Sequence, residues 1–119
     1  MEDEKHGICM SWNRQQKLAV LKSICYIVGA DRKVAPQELM VVQGFLDQYQ
    51  LNRNAMNEQA SMSYFEMCDT IQSMSNNDQR LIISLWKKTA QCDGHVDDRE
   101  LECMATLIID CNIDESLVK

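Results

Sequence analysis

The sequence predicts an all-α protein that forms a single compact helical domain of about six to seven helices over residues 1–119. One proline and four glycines in 119 residues favour helices over a turn-rich β fold. Apolar residues recur at helical spacing along most of the chain, and no segment alternates convincingly between apolar and polar residues. The length is typical of one domain, and an apolar content of 45% is sufficient to form a buried core.

The first helices are predicted from their apolar stripes. Residues 1–10 carry mixed charge and are expected to fray. The first helix, over about 12–29, is apolar on more than one side and is therefore expected to lie at the centre of the fold. The second helix, over about 36–50, has a predicted core stripe of Leu39, Val42, Leu46 and Tyr49. A short polar helix is expected after Asn52 or Asn54.

Ser63 is predicted to open the next helix. Glu66 follows it three residues later, and this spacing has the form of a capping box. The polar run 75–78 is expected to break the helix again. Its predicted apolar face comprises Tyr64, Met67, Cys68, Ile71 and Met74.

Two further helices are predicted in the last third of the chain. The fifth covers about 78–91, and the sixth covers 98–110 after a glycine turn. Asp114 is expected to cap a last turn. The predicted apolar face of the sixth helix comprises Leu101, Met104, Ala105 and Ile108.

The chain contains an internal repeat. A shift of 62 residues aligns Asp31 with Asp93 and carries the apolar pattern of about 18–51 onto that of about 80–113. Each copy reads as a helix, a tight turn and a second helix. Two copies are too few for a solenoid, so the sequence predicts a globule built from two pseudo-symmetric helix-turn-helix repeats.

Composition excludes several classes of function. The net charge is −6, and all of it arises from residues 61–119, which opposes nucleic-acid binding and favours cations or basic partners. No apolar run approaches the roughly 18 residues of a membrane span. The amino terminus lacks the basic start and apolar stretch of a secretory signal. We therefore expect a cytoplasmic protein without membrane contact.

The six cysteines do not predict a disulfide framework, because nothing in the sequence directs export. They are Cys9, Cys25, Cys68, Cys92, Cys103 and Cys111. Four of them fall near or on apolar helical faces, where a free thiol acts as a small hydrophobe. Cys92 and His95 have a spacing found in zinc sites, but no second pair of ligands accompanies them.

The turn before the sixth helix is the strongest candidate for a site. From Asp93 through a glycine to Glu100 it matches the second half of an EF-hand loop, with Glu100 as the final bidentate ligand. The first half does not match, because Thr89 and Gln91 stand at the first and third ligand positions. A structural alternative stays open, in which Asp97 caps the helix and Glu100 completes a capping box.

Segment 90–100, Ala-Gln-Cys-Asp-Gly-His-Val-Asp-Asp-Arg-Glu, resembles a motif of the TerB-like, tellurite-resistance superfamily. That motif is Ala-Asp-Gly-x-Val followed by a capped helix with Glu, and the superfamily includes the amino-terminal region of DjlA-type membrane co-chaperones. Segment 29–38 is a degenerate copy, and the resemblance covers about 18–113. It implies an all-helical, pseudo-duplicated fold with acidic turns suspected of holding divalent cations. The implied ligands are Asp93, Asp97, Glu100, Asp31 and Glu38.

The chain departs from the family pattern at three positions. Arg32 replaces the glycine of the first turn, Ala35 replaces its capping residue, and Cys92 replaces an alanine of the second turn. Arg32 and Lys33 also bring positive charge next to Asp31. The second turn is therefore the better candidate for a cation.

These features predict a protein without catalytic activity. The chain has two histidines, and no nucleophile with a recognisable base, phosphate-binding loop or metal triad is evident. The first hypothesis is a cytosolic TerB-like module in stress response or tellurite resistance that binds a divalent cation. The alternative is a protein–protein interaction domain related to co-chaperone modules, with purely structural acidic turns. It predicts a contiguous exposed apolar patch. A redox-sensing role for Cys92 or Cys9 is the third hypothesis.

Overall fold

The computed structural model describes residues 12–29, 36–91 and 98–118, apart from the side chains of residues 36–38. Within these ranges the chain is all-helical, as predicted, with six α-helices, a final 3₁₀ turn and no strand. The helices are α1 (Arg14–Val28), α2 (Pro36–Gln48), α3 (Asn54–Ser61), α4 (Tyr64–Gln72), α5 (Asn76–Ala90) and α6 (Asp98–Asp110), and the 3₁₀ turn covers Glu115–Leu117.

The helix starts follow from side chains that accept hydrogen bonds from otherwise unpaired backbone N–H groups. Asn13 caps α1, and its side chain accepts from the backbone N–H of Gln16 at 2.8 Å. Ser63 caps α4 and accepts from the N–H of Glu66 at 3.0 Å, which confirms the start predicted there. Asp114 accepts from the N–H of Ser116 at 2.9 Å and caps the last turn, as predicted.

The polar run 75–78 does more than break α4. Ser75 is the N-cap of α5, and its hydroxyl accepts from the N–H of Asp78 at 3.1 Å. Helix α5 therefore begins at Asn76, two residues before the predicted start. Helix α2 ends at Gln48, because Gln50 adopts a left-handed backbone with φ of 59°, which an α-helix cannot continue through.

Helix α1 lies at the centre of the fold and contacts each of the other five helices. Side chains on several of its sides are therefore fully buried, among them Leu21 and Ile24. Trp86 of α5 is buried against it, and its indole N–H donates to the hydroxyl of Ser23 at 2.8 Å. That hydroxyl in turn donates to the carbonyl oxygen of Val20 at 2.6 Å. The core thus contains a series of hydrogen bonds from Trp86 through Ser23 to Val20, and each of these buried polar groups has a partner, as burial requires.

Two of the predicted apolar stripes are partly wrong. Leu39 of α2 is 59% exposed, since it lies at the edge of the side that packs on α1. On α6, Leu101 is 39% exposed and Ala105 is also exposed, while Leu107 is fully buried in their place. Because α6 packs through Met104 and Leu107, its core face is rotated away from the predicted stripe.

The shift of 62 residues found in the sequence also relates the bounds of the helices. It carries α1 onto α5 and α2 onto α6, so that each helix starts and ends at corresponding residues. Gln50 and Asn112, which correspond under the same shift, have left-handed backbones with φ of 59° and 55°. The helix bounds and these two backbone conformations therefore correspond in the two units, while their pseudo-symmetric arrangement in space stays a prediction.

Candidate functional site

The predicted cation site lies largely outside the described residues. Asp31, Asp93 and Asp97 are not among the residues that the structure describes. Glu38 lies in α2, but its side chain is not among the described side chains. Glu100 is described, in the first turn of α6, and its side chain is only 3% exposed. The structure therefore places one of the five predicted ligands and leaves the assembly of the site a prediction.

Burial of Glu100 is informative, because a carboxylate is rarely buried unless it is paired or hydrogen-bonded. Glu100 has an interaction partner in this structure. Its charge also raises the pKa of the neighbouring Cys103 thiol, although burial of that thiol is the larger cause. Within the ranges given above, no group of three or more His, Cys, Asp or Glu side chains is arranged to hold a metal ion.

An apolar groove lies between α2 and α5, with α1 beneath it. We call it the α2/α5 groove, and its volume is about 240 Å³. It is lined by Ile24, Met40, Val41, Gly44, Phe45, Gln48, Leu85 and Lys88. An apolar depression between two helices is suited to an apolar segment of another protein.

One wall of the groove is a stripe along α2. Met40, Gly44 and Gln48 recur every four residues and therefore lie on one side of the helix. All three are exposed, and Met40 is exposed by 72%. Methionine side chains adapt to partners of different shape, and they are frequent at binding surfaces. The part of this wall formed by Met40 and Gly44 is therefore apolar and accessible.

Gly44 opens the middle of that wall. A Cβ atom at this position would have no atom within 4 Å, so packing against the rest of the protein does not require a glycine. Glycine inside a helix is less stable than alanine by about 0.8–1.0 kcal/mol. The lack of a side chain instead leaves the helix backbone accessible, which permits the close approach of another backbone.

The opposite wall belongs to α5. Leu85 is partly buried and Lys88 is exposed at the rim, one turn further along the same helix. Arg80 and Lys87 are also exposed on α5, so this helix carries a concentration of positive charge in a chain whose net charge is −6. An apolar segment with acidic neighbours therefore suits the groove better than a basic one.

A second depression lies between α1 and α6. We call it the α1/α6 cleft; it has a volume of about 540 Å³ and is lined by Cys25, Tyr26, Gly29, Arg99, Glu102, Cys103 and Thr106. The shift of 62 residues carries Met40 onto Glu102 and Gly44 onto Thr106. Applied in reverse, it carries Lys88 onto Tyr26. The linings of the two depressions thus correspond in part along the sequence and differ in chemistry.

The thiols of the α1/α6 cleft are not activated. Burial raises the pKa of Cys25 and of Cys103 to about 11 each. The thiol of Cys103 also donates to the backbone carbonyl of Tyr26, at 3.6 Å. Because the thiolate is the nucleophile, both side chains are poor candidates for redox chemistry near neutral pH.

A polar cluster joins α4 to the end of α6. The hydroxyl of Tyr64 donates to a carboxylate oxygen of Asp110 at 2.5 Å. Beside this pair the thiols of Cys68 and Cys111 influence each other's pKa. Burial is the largest cause of a raised pKa in Tyr64, Cys68 and Cys111. The hydroxyl of Tyr64 and the two thiols therefore stay protonated at neutral pH, and the cluster is suited to fixing the two helices together.

The predicted redox residues, Cys9 and Cys92, lie outside the described part of the chain. The four cysteines within it, Cys25, Cys68, Cys103 and Cys111, are free thiols and are buried or partly buried. Their state agrees with the expectation that these four act as small hydrophobic side chains.

Sequence reasoning did not identify the α2/α5 groove as a site. A local signal was present, since Gly44 interrupts a predicted helix. The groove nevertheless depends on Leu85 and Lys88, which are distant in sequence and meet α2 only in the folded chain.

Comparisons with protein-family models, with curated proteins and with solved structures each gave no match to this chain. The resemblance to the TerB-like superfamily therefore stays a prediction. Among the helices that the structure describes, none is long and apolar enough to cross a membrane.

Proposed function

We propose that the protein is a non-catalytic interaction module that binds a helical segment of a partner protein in the α2/α5 groove. The observation that carries this proposal is the accessible apolar wall formed by Met40 and Gly44 above a buried apolar floor. The interaction hypothesis requires such a surface. This function corresponds to the alternative drawn from the sequence, in which the acidic turns are structural.

The shape of the groove favours a helix as its occupant. Its two walls are helices, and its exposed stripe repeats every four residues, which matches the spacing of apolar side chains on one face of an amphipathic helix. Gly44 permits close approach at the middle of the stripe. A small side chain at the centre of the bound helix would fit this opening.

The charge at the rim selects among amphipathic helices. Lys88 lies at the edge of the groove, where it faces any polar side chain that flanks the apolar stripe of a bound helix. An acidic residue at that place is attracted by the lysine, and a basic one is repelled. The occupant is therefore an acidic amphipathic helix.

A synthetic peptide tests the proposal. A labelled peptide of about 16 residues, with leucine, alanine and leucine at every fourth position and glutamate flanking them, should bind and raise fluorescence anisotropy. In the Gly44→Gln variant a long side chain occupies the opening, and affinity should fall at least about tenfold, or 1.4 kcal/mol. A peptide of the same composition with the stripe scrambled should not bind.

Matched variants locate the binding surface. Met40 in the groove and Phe65 on α4 are 72% and 75% exposed, so their substitution by glutamine removes a similar exposed apolar side chain. Met40→Gln should weaken the peptide complex, and Phe65→Gln should leave it unchanged. Equal losses in both variants, or none in Gly44→Gln, would contradict a groove-based function.

The cation-binding TerB-like module remains a second candidate, favoured by the burial of Glu100 at the start of α6. A carboxylate held there with Asp93 and Asp97 is suited to a divalent cation, and a stress-related role would follow the family resemblance. Thermal unfolding of chelator-treated protein with added Ca²⁺, Mg²⁺, Mn²⁺ or Zn²⁺ tests it. One ion should raise the unfolding temperature by several degrees, and Asp93→Asn with Glu100→Gln should abolish that shift.

A further inference from the structure

We propose that the helix bound in the α2/α5 groove is α6 of a second copy of this chain. This inference rests on the proposed function, because it names the occupant of the same groove. It identifies the partner by an exposed surface on α6 that we call the α6 ridge, formed by Asp98, Leu101, Glu102, Ala105 and Ile109. The groove of one copy would receive the ridge of the next.

The ridge has the spacing that the groove requires. Leu101, Ala105 and Ile109 recur every four residues and lie along one side of α6. Their first and last members are 39% and 75% exposed, so the apolar stripe faces away from the protein's own core. The stripe spans nine residues, about 12 Å of helix from first to last, and the stripe from Met40 to Gln48 spans the same number.

Small residues stand at the middle of both stripes. Ala105 is central on the ridge, and Gly44 is central on the wall of the groove. When these two positions face each other, the helix backbones can approach closely and the larger side chains on either side interlock. This arrangement follows the packing of ridges into grooves that helices use in general.

The α6 ridge and the α2/α5 groove carry charges of opposite sign. Asp98 and Glu102 flank the apolar stripe of the ridge and are exposed, while Lys88 lies at the rim of the groove and Arg80 is exposed on the same helix. The ridge thus carries acidic side chains beside its apolar stripe, and the groove has the basic Lys88 at its rim. Opposite charges at the contact favour this pairing over pairing of two ridges.

The contact would join different surfaces of the two copies. A groove and a ridge on each chain leave one free groove and one free ridge after the first contact. Such a head-to-tail interface extends into a ring if the rotation closes and into an open chain if it does not. Assembly should therefore continue beyond a dimer as protein concentration rises.

Two variants of the full chain test this assembly in sedimentation velocity. Gly44→Gln blocks the groove and leaves the ridge intact, whereas Ile109→Lys breaks the ridge and leaves the groove intact. Each variant alone should remain monomeric at concentrations where the wild type forms larger species. An equimolar mixture should form a dimer and nothing larger, since it contains one intact groove and one intact ridge per pair.

The control is Phe65→Lys, which places the same side chain at an equally exposed apolar position on α4 and should assemble like the wild type. A wild-type chain that stays monomeric up to millimolar concentration would overturn the inference, and so would assembly that Gly44→Gln and Ile109→Lys leave unchanged. The peptide assay separates the two proposals. Peptide binding without self-association removes the second copy as occupant but retains the groove, and loss of both results removes both proposals.

Discussion

The α2/α5 groove and the α1/α6 cleft are lined in part by residues that correspond under the shift of 62 residues, yet they have different chemistry. Where the groove has Met40 and Gly44, the cleft has Glu102 and Thr106. The helix bounds around them correspond residue by residue. The comparison shows that corresponding helix bounds do not produce equal surfaces, and that a few side chains make one depression more apolar than the other.

The core beneath the two depressions differs as well. Ile24 of α1 and Trp86 of α5 correspond under the shift of 62 residues, and both are fully buried. Trp86 has a polar partner in Ser23, whereas the residue that corresponds to Ser23 is Leu85, which lines the groove. The tryptophan thus fixes α5 to α1 by both packing and a hydrogen bond.

The largest effect is expected at Trp86. Trp86→Ala should lower the free energy of unfolding by about 4 kcal/mol, because a fully buried large side chain is lost and a cavity remains. Ile24→Ala should lower it by about 3 kcal/mol for the same reason. Urea unfolding measures both. A loss below about 1 kcal/mol for Trp86→Ala would show that the two central helices are not fixed by this contact.

The next largest loss of stability is expected from the hydrogen bond between Trp86 and Ser23. Ser23→Ala removes the acceptor of the indole N–H and should destabilise the protein by about 2 kcal/mol, because a buried donor loses its partner. Ser84→Ala on α5 is the matched control, since that serine is exposed, and should change stability by less than about 0.5 kcal/mol. Equal effects in urea unfolding would contradict the hydrogen bond's role.

The Tyr64–Asp110 pair beside the α1/α6 cleft should have a smaller, pH-dependent effect. Tyr64→Phe removes the hydrogen bond and should destabilise the protein by about 1 kcal/mol at neutral pH. Burial raises the pKa of Tyr64 above its ordinary value of 10.0, with the bond to Asp110 as the second cause. The contribution is therefore complete below pH 10.0 and declines as pH rises above it.

Chemical unfolding of the wild type and Tyr64→Phe between pH 7 and pH 11 measures that contribution. The difference in stability between the two proteins should be constant in the lower part of this range and should narrow at its upper end. A difference that grows with pH would have the opposite sign and would contradict the assignment of the hydroxyl as donor to Asp110.

The smallest change in stability is expected for Gly44→Ala, which tests whether the fold itself requires a glycine at this position of the groove. Gly44→Ala should raise the free energy of unfolding by about 0.5–1 kcal/mol, because the new Cβ has no close neighbour and alanine favours a helix. The unfolding midpoint in urea measures this gain. A loss of stability would mean that glycine is required by the fold, and that its role in an open binding wall is not supported.

Local signals predicted much of the fold. Ser63 with Glu66 marked the start of α4, and the start of α6 at Asp98 also agreed with the structure, because caps depend on neighbouring residues only. The core face of α6 was not predictable in the same way. Glu100 occupies a buried position beside Met104 and Leu107, and the spacing of apolar residues does not indicate that a carboxylate is buried there.

The candidate site was less predictable than the fold. The sequence directed attention to acidic turns, whereas the α2/α5 groove becomes visible only when Leu85 and Lys88 of α5 meet Met40 and Gly44 of α2. These contacts join residues about 45 positions apart, and periodicity in one helix does not reveal its neighbour. Gly44 was the single local sign, and its meaning depended on the open space beside it.

Chemical-shift mapping by NMR tests the central claim most directly. The acidic amphipathic peptide of the binding assay is added to the isotope-labelled Ile109→Lys variant, which keeps the groove intact and cannot place its own α6 ridge there. The backbone amide signals of the two depressions are then compared. We predict that shifts concentrate at Met40, Gly44 and Lys88 in the groove and are absent at Glu102 and Thr106 in the cleft. Shifts concentrated in the α1/α6 cleft, or equal in both depressions, would contradict the account.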